Sequence, residues 1–173
     1  MPEPDRCDRG DREDRGAHAD RGEREWIPNE EWETIVRHVP IVSVDLVVRF
    51  ENRVILGERE NEPAKGEWFV PGGRVHKHEQ LTDAVHRVAR TELGVGVEIE
   101  TSLGAYQHFY EIADVAGVGG KHYVANGFVV RAGSDPTAAD GQHSDLRAFA
   151  AVPADLHLYV AQYLQDAGVI ASE

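Results

Sequence analysis

The segment 73–95, GRVHKHEQLTDAVHRVARTELGV, constrains the fold of this chain more than any other part of it. It follows Pro71-Gly72, which ends a short apolar run and leaves backbone carbonyl groups exposed. Its apolar residues recur at helical spacing, so we expect a helix over 80–93 with a single apolar face. Gly94 stands where a glycine commonly ends a helix. The segment therefore predicts a strand, a loop and a helix that packs on a sheet.

The apolar pattern on either side of this segment predicts further strands and two more helices. A short amphipathic helix is expected between Pro28 and Pro40, and a terminal helix over 153–167. Strands rich in β-branched and aromatic residues are expected over 41–50, 54–56, 68–70, 95–99, 105–110, 122–131 and 146–152. Mixed strands around one central and one terminal helix predict an α/β protein with an α/β/α sandwich and a mixed central sheet.

Residues 1–24 differ from the rest because they are rich in Asp, Arg and Gly and contain almost no apolar residue. Such a segment cannot bury enough apolar surface to offset the entropy of ordering it. We therefore predict a disordered acidic and arginine-rich tail over 1–24, followed by one domain over 25–173.

The net charge of −13, from 18 Lys+Arg against 31 Asp+Glu, argues against two classes of partner. A nucleic-acid groove and a surface that docks on anionic lipid are both basic. A small phosphorylated substrate is compatible with this charge where arginines gather. The single cysteine excludes an internal disulfide within these residues. The chain has no long apolar run, so we expect neither a membrane span nor a secretory leader. We predict a cytoplasmic protein that binds neither nucleic acid nor membranes.

Oxygen-bearing groups bracket the central helix. Glu79 lies at its start, Glu92 lies near its end, and the carbonyl of Gly72 precedes it. Mg²⁺ and Mn²⁺ prefer carboxylate and carbonyl oxygens, so these groups are candidates to share an ion. Glu79 could equally favour the helix N-terminus through the helix dipole, and Glu92 could be a solvated surface residue.

The spacing in this segment resembles the signature of the Nudix hydrolases, G-x5-E-x7-R-E-U-x-E-E-x-G-U, in which U is apolar. The matching residues are Gly73, Glu79, Arg87, Ala89, Glu92, Gly94 and Val95. Val88 and Thr91 replace two signature glutamates, and positions 88, 91 and 92 share one helix face. A single carboxylate on that face leads us to expect one divalent ion, Mg²⁺ or Mn²⁺.

A wider resemblance covers about 32–149 and points to one group of Nudix enzymes. The segments WETIVRHVPIVSVDLVV, ILGERENEPAKGEWFVPGGRV, YQHFYE, HYVANGF and DGQHSDLR are similar to successive parts of GDP-mannose mannosyl hydrolases, which lack the same two glutamates. The resemblance implies that water attacks the anomeric carbon of the sugar, with inversion, and that GDP leaves. It also implies a homodimer.

The resemblance assigns the metal site and the catalytic groups by position. It implies metal ligands at Gly72, Glu92 and Gln142, all through oxygen. It implies that His143 is the general base, a role that suits imidazole because its pKa is near neutrality. Arginines at the matching positions would stabilise charge on the departing diphosphate, since the guanidinium group fits phosphate oxygens. These arginines are Arg59, Arg74 and Arg87, although Arg87 could instead form a structural ion pair.

The same resemblance implies substrate contacts. Asp45 and His108 would contact the sugar, Tyr110 and Tyr123 the diphosphate, and Trp32 would stack on guanine. Asp45 is unusual in its own right, because it is a carboxylate within an apolar strand and is costly to bury alone. It either faces solvent at a sheet edge or faces a polar site. The three aromatic residues could equally be packing residues.

Two other functions remain open at this stage. One is a conventional Nudix diphosphatase that cleaves a nucleoside diphosphate derivative at phosphorus, against which Val88 and Thr91 argue. The other is a non-catalytic module that binds a nucleotide sugar, against which the retained Glu92, Gln142 and His143 argue.

Overall fold

The computed structural model describes residues 27–136 and 143–170. The predicted tail over 1–24 and Gln142 lie outside the described residues, and only the backbone is described at His143. In chain order the elements are α1 Asn29–His38, β1 Ile41–Phe50, β2 Arg53–Arg59, β3 Trp68–Phe69, β4 Gly72–Arg74, α2 Leu81–Val88, a π-helical turn Ala89–Leu93, β5 Val97–Ile112, β6 Gly119–Ala132, β7 His143–Phe149 and α3 Leu158–Asp166.

One mixed sheet organises the described residues. Its strands follow the order β3-β2-β1-β6-β5, with β4 paired to β1 and β7 paired to β2. The β1–β6 pair is parallel, and the other strand pairs are antiparallel. The central strand β1 is buried along most of its length, as its run of β-branched residues predicts.

The helices α2 and α3 pack on opposite faces of the sheet. Val44, Leu46 and Val48 of β1 join the cluster under α2, whereas Val47 joins the cluster under α3. The predicted α/β/α sandwich with a mixed central sheet is therefore confirmed. None of the helices in the described ranges is long and apolar enough to cross a membrane.

The central helix forms as its spacing predicts, but its last turn is wider. Ala84, Val85 and Val88 are buried under α2, and burying each valine contributes about 1.5 to 3 kcal/mol. The π-helical turn then continues to Gly94, which has a left-handed φ of 69° and ends the helix as predicted. Glu92 lies on this π-helical turn, a type of distortion that is frequent at functional sites.

The strands predicted over 95–99 and 105–110 are wrong as separate elements, because β5 is continuous from Val97 to Ile112. The register with β6 shifts between Ile99 and Thr101 and again between Ser102 and Gly104. Such bulges bend a strand without ending its pairing, and Gly104 adopts a φ of 96° there. A long partner strand therefore overrides the local Gly and polar residues that resemble a turn.

Two further boundaries differ from the prediction. Gly72–Arg74 is not only a turn, because it pairs with β1 as β4 and so holds Gly72 opposite Asp45. The terminal helix begins at Leu158 rather than at residue 153, after His157 accepts a hydrogen bond from the Tyr159 N–H at 3.2 Å.

Candidate active site

A cleft of about 640 Å³ gathers most of the residues predicted to bind substrate. Its walls come from α1, β1, the end of β2, β4 and the paired strands β5 and β6. The predicted residues among its lining are Trp32, Asp45, Arg59, Gly72, Arg74, His108, Tyr110 and Tyr123. Since these residues span six elements, tertiary folding is what brings them together.

Asp45 faces this cleft and is buried, which decides between the two alternatives for a carboxylate in an apolar strand. Tyr163 of α3 donates a hydrogen bond to its Oδ2 at 2.9 Å. Burial raises the pKa of Asp45 to about 7, and the charge of Glu92 adds to this. The Tyr163 hydrogen bond and the charge of Arg59 oppose the rise. Asp45 is thus a carboxyl group that exchanges its proton near neutral pH.

His108 lies beside Asp45, with Nδ1 at 3.9 Å from Oδ2. Its ring stacks on that of Tyr159, with the ring centres 3.9 Å apart. Burial, together with the charge of His157, lowers the pKa of His108 to about 4, so the imidazole is neutral at pH 7. Among the described residues its Nε2 has no hydrogen-bond partner. A neutral, buried imidazole with unused capacity suits hydrogen bonding to a sugar hydroxyl.

Arg59 reaches the cleft from the end of β2. Its Nε donates to the carbonyl of Pro63 at 2.8 Å, and its guanidinium lies 5.4 Å from the centre of the Phe69 ring. These contacts hold one edge of the guanidinium and leave donors for a phosphate. Tyr110 and Tyr123 meet edge to face at 6.0 Å, and burial, above all, raises the pKa of Tyr110. The Tyr110 hydroxyl therefore stays protonated as a donor.

Arg87 does not line this cleft but lines the cavity beside it, and it forms an ion pair of the kind that its alternative interpretation described. It donates to Glu79 from Nε at 2.6 Å and from a terminal nitrogen at 2.8 Å, and to the carbonyl of Arg74 at 2.8 Å. Glu79 also accepts from the His76 N–H at 2.8 Å. Although burial raises the pKa of Glu79, the hydrogen bonds and charge of Arg87 lower it overall. The pair ties the loop before α2 to the helix.

Two of the three predicted metal ligands meet. The Gly72 N–H donates to Glu92 Oε2 at 3.0 Å, and Glu92 is only 2% exposed. The third, Gln142, lies outside the described residues. His143 pairs with Arg59 across β7 and β2, so its backbone is beside the cleft. In the described ranges no group of three or more His, Cys, Asp or Glu side chains is placed to hold a metal.

The oxygen-bearing groups gathered here are of the chemical type that a hard divalent cation prefers. Gly72 lies between the two buried carboxylates, because a Cβ there would lie 2.5 Å from Asp45 Oδ1 while its N–H reaches Glu92. Carboxylate and carbonyl oxygens are the ligands that Mg²⁺ and Mn²⁺ prefer. Val88 is buried against Gly73 and Thr91 carries no charge, so the positions of the two absent glutamates offer no further anionic ligand.

Sequence reasoning missed one residue of the cleft lining and one layer of residues that supports the cleft. Lys121 forms an ion pair with Asp114 at 2.6 Å and lies 5.2 Å from the centre of the Trp32 ring. The supporting layer comes from α3, where Tyr163 donates a hydrogen bond to Asp45 from behind the cleft lining. The scarcity of lysine was a usable signal for Lys121, since the chain has only Lys65, Lys77 and Lys121. Tyr163 offered none, because it resembles any other apolar position of an amphipathic helix.

Comparisons with known proteins agree with this architecture. A family model described as NUDIX domain matches residues 38–166, more than half of the chain. The low-salt glycan biosynthesis protein Agl8 of Haloferax volcanii is 56% identical over 138 residues, covering 80% of this chain and 88% of that protein. An ADP-ribose pyrophosphatase of Methanocaldococcus jannaschii is 36% identical over 67 residues, which is 39% of this chain and 40% of that protein.

Solved structures share the fold. A MutT NUDIX hydrolase from Burkholderia pseudomallei aligns with a TM-score of 0.62 and 27% identity, over 73% of this chain and 97% of that chain. A NUDIX hydrolase from Nitrosomonas europaea aligns with a TM-score of 0.60 and 20% identity, over 75% and 88% of the two chains. The second likeness shows the fold alone. With the family model spanning the sheet, both helices that cover it and the turn that carries Glu92, the chain belongs to the Nudix hydrolase family.

Proposed function

We propose that this protein hydrolyses a GDP-sugar, with GDP-mannose as the preferred substrate, to GDP and the free sugar. Water attacks the anomeric carbon with inversion, one Mg²⁺ or Mn²⁺ ion assists, and His143 is the general base. The proposal also keeps the homodimer, the cytoplasmic location and the tail over 1–24 as predictions.

The observation that carries this proposal is the assembly of Asp45, His108, Arg59 and Tyr123 in one cleft beside Gly72 and Glu92. Each was predicted from a resemblance to GDP-mannose mannosyl hydrolases, and nothing in their sequence spacing requires them to meet. A buried carboxyl group and a neutral imidazole form a polar pocket that suits sugar hydroxyls.

The cations of the cleft suit a diphosphate leaving group. Arg59 and Arg74 line it, and neither guanidinium has a carboxylate partner within the described part of the chain. Their positive charge would stabilise the negative charge that develops on the departing diphosphate. A divalent cation held by Glu92, Gly72 and Gln142 would add charge at the same place when bound. Conventional Nudix diphosphatases present three carboxylates at that position. A single carboxylate there favours attack of water at the anomeric carbon over attack at phosphorus.

One relative supports a nucleotide-sugar substrate, and another supports the alternative diphosphatase function. The protein of Haloferax volcanii carries a name in glycan biosynthesis, which agrees with a nucleotide-sugar substrate. The pyrophosphatase of Methanocaldococcus jannaschii favours the second candidate, cleavage of a nucleoside diphosphate derivative at phosphorus. That match spans 40% of the pyrophosphatase, so it supports this candidate less.

The decisive experiment follows GDP-mannose by proton and phosphorus NMR with Mg²⁺ in water enriched in ¹⁸O. We expect GDP and β-mannose as first products, with the label in mannose, because attack at carbon places the new oxygen on the sugar. GMP and mannose 1-phosphate, with the label on phosphate, would establish the competitor. Absence of any reaction across a panel of GDP-sugars, with GDP still bound, would leave the non-catalytic module.

His143→Gln tests the proposed base. Turnover should fall about 100- to 10,000-fold, the usual contribution of a general base, while GDP-mannose affinity stays near that of the natural protein. Single-turnover kinetics and calorimetric titration measure the two quantities. His122→Gln is the matched control, since His122 stacks on the exposed Phe109 and does not line the cleft. Equal turnover in His143→Gln and the natural protein would remove His143 from the mechanism.

A further inference from the structure

The ion pair of Asp114 and Lys121 has a geometry that a salt bridge on the surface lacks. Lys121 Nζ lies 2.6 Å from Asp114 Oδ1, with the lysine side chain 4% exposed and the aspartate side chain 39% exposed. A buried ammonium group needs a partner, because losing its hydration is costly. The aspartate meets that need while part of its carboxylate stays open to a ligand.

This pair lies where two cavities meet. Asp114 and Trp32 line both the cleft and a second cavity of about 780 Å³ on the α2 side. The second cavity has apolar walls from Ile27, Val115 and Ala116 beside its polar groups. A planar ring needs apolar or aromatic surface at its face and hydrogen-bonding groups at its edge. The junction of the cavities offers both next to the site proposed for the diphosphate.

The charge of Lys121 is already balanced, which separates it from the phosphate-binding cations. Arg59 and Arg74 have no carboxylate partner in the described ranges and are left to neutralise a diphosphate. Lys121 faces Asp114 directly, so the two together add little net charge to the cleft. Such a neutral donor–acceptor pair is better suited to hydrogen bonding with an uncharged ring than to binding phosphate.

The chemistry of the pair matches one base more fully than the others. Among the described residues Asp114 has Lys121 as its only polar partner, so its remaining lone pairs can accept further hydrogen bonds. The pair thus offers acceptors beside a donor. Guanine presents two adjacent donors, N1–H and the N2 amino group, beside the O6 acceptor. Adenine presents one donor beside one acceptor and would leave an acceptor of the pair unmatched.

We propose that Asp114 and Lys121 are the specificity-determining residues for the base, and that they select guanine through its N1–H, N2 amino group and O6. The inference rests on the proposed function, because it names how the same cleft would recognise the base of a nucleotide sugar. Trp32, whose ring is 5.2 Å from the Lys121 ammonium, borders the same position.

Calorimetric titration of the full chain in Mg²⁺ with GDP, IDP, XDP and ADP tests the proposal. GDP should bind about 10-fold more tightly than IDP, which lacks the N2 amino group, and about 100-fold more tightly than ADP. Asp114→Asn should weaken GDP about 10- to 100-fold and leave ADP within about twofold. It should also bind XDP more tightly than the natural protein does, because the amide can donate to the C2 carbonyl of xanthine. Damage to the fold cannot produce such a gain.

Asp155→Asn is the control, since Asp155 is exposed and lines neither cavity. Affinities for GDP, IDP and ADP within about threefold of each other in the natural protein would overturn the proposal. Equal weakening of GDP and ADP in Asp114→Asn would also overturn it, because it would place the pair in diphosphate binding. Base selectivity without hydrolysis of GDP-sugars would refute only the proposed function, whereas hydrolysis without base selectivity would refute only this inference.

Discussion

Glu79, on the α2 side of the sheet, and Asp45, on the α3 side, are carboxylates with little exposure to solvent and opposite surroundings. Glu79 accepts two hydrogen bonds from Arg87 and one from a backbone N–H, and its pKa is lowered. Asp45 accepts from Tyr163 and has the arginine charge only at a distance, and its pKa is raised to about 7. The first carboxylate stabilises the scaffold, whereas the second keeps binding capacity for a ligand.

Glu92 tests whether every carboxylate on the α2 side is structural, because it lies on that side but is proposed to hold the metal. Glu92→Gln keeps the size of the side chain and can still accept from the Gly72 N–H. We expect turnover at fixed Mg²⁺ to fall about 100-fold and the half-saturating Mg²⁺ concentration to rise at least about tenfold, since the ligand charge is lost. Metal titration of activity measures both.

Glu79→Gln is the matched control for that titration, because it removes a carboxylate from the α2 side of the sheet but leaves the Gly72–Glu92 hydrogen bond in place. Its Mg²⁺ dependence should stay within about threefold of the natural protein. If Glu92→Gln leaves the titration unchanged, the metal site lies elsewhere.

Asp45→Asn tests the raised pKa of Asp45 through the pH dependence of the free energy of unfolding. A carboxyl group whose pKa is raised on folding contributes stability that is present below its unfolded value of 3.8 and is lost as pH rises through about 7. The natural protein should therefore lose stability relative to Asp45→Asn by about 2 to 3 kcal/mol between pH 5 and pH 8. Urea unfolding in EDTA, which excludes metal effects, measures the difference. A constant difference over this range would mean that Asp45 ionises normally.

Glu79→Gln should show the opposite sign and a smaller effect. Its lowered pKa contributes stability above the ordinary value of 4.5 that is lost as pH falls through the folded value. We expect about 1 to 2 kcal/mol of destabilisation at pH 7, shrinking below pH 4. Glu98→Gln is the control, since the Arg131–Glu98 pair has side chains 56% and 68% exposed and should matter by less than about 0.5 kcal/mol. Equal losses of stability in Glu79→Gln and Glu98→Gln would show that the Glu79–Arg87 pair does not stabilise the scaffold more than an exposed ion pair does.

Tyr163→Phe gives the smallest expected effect. It removes the hydroxyl that donates to Asp45, so the pKa of Asp45 should rise further and stability at pH 8 should fall by about 1 kcal/mol. Tyr159→Phe is the control, because that hydroxyl bonds the backbone of Phe109 instead. A carbon NMR titration of the Asp45 carboxyl group follows the pKa in both variants. An unmoved Asp45 pKa in Tyr163→Phe would show that the hydrogen bond has no electrostatic role.

Local sequence was enough to predict the elements whose signals lie within a few residues. The apolar stripe of α2 and the glycine at its end are such signals, and both appear where predicted. The continuity of β5 could not be predicted in this way, because its pairing with β6 carries it through Gly104 and the polar residues before it. Long-range hydrogen bonds there outweigh local turn propensity.

The amino-acid sequence by itself determined the family, the three helices and most of the strands, and which side chains were candidates for the site, because spacing and apolar period are local properties. The tertiary structure alone decided that Asp45 is buried beside His108 and that Arg87 pairs with Glu79. It also decided that Asp114 meets Lys121 at the junction of two cavities. Asp45 and Tyr163 are 118 residues apart, and burial and such distant contacts set the pKa of a group.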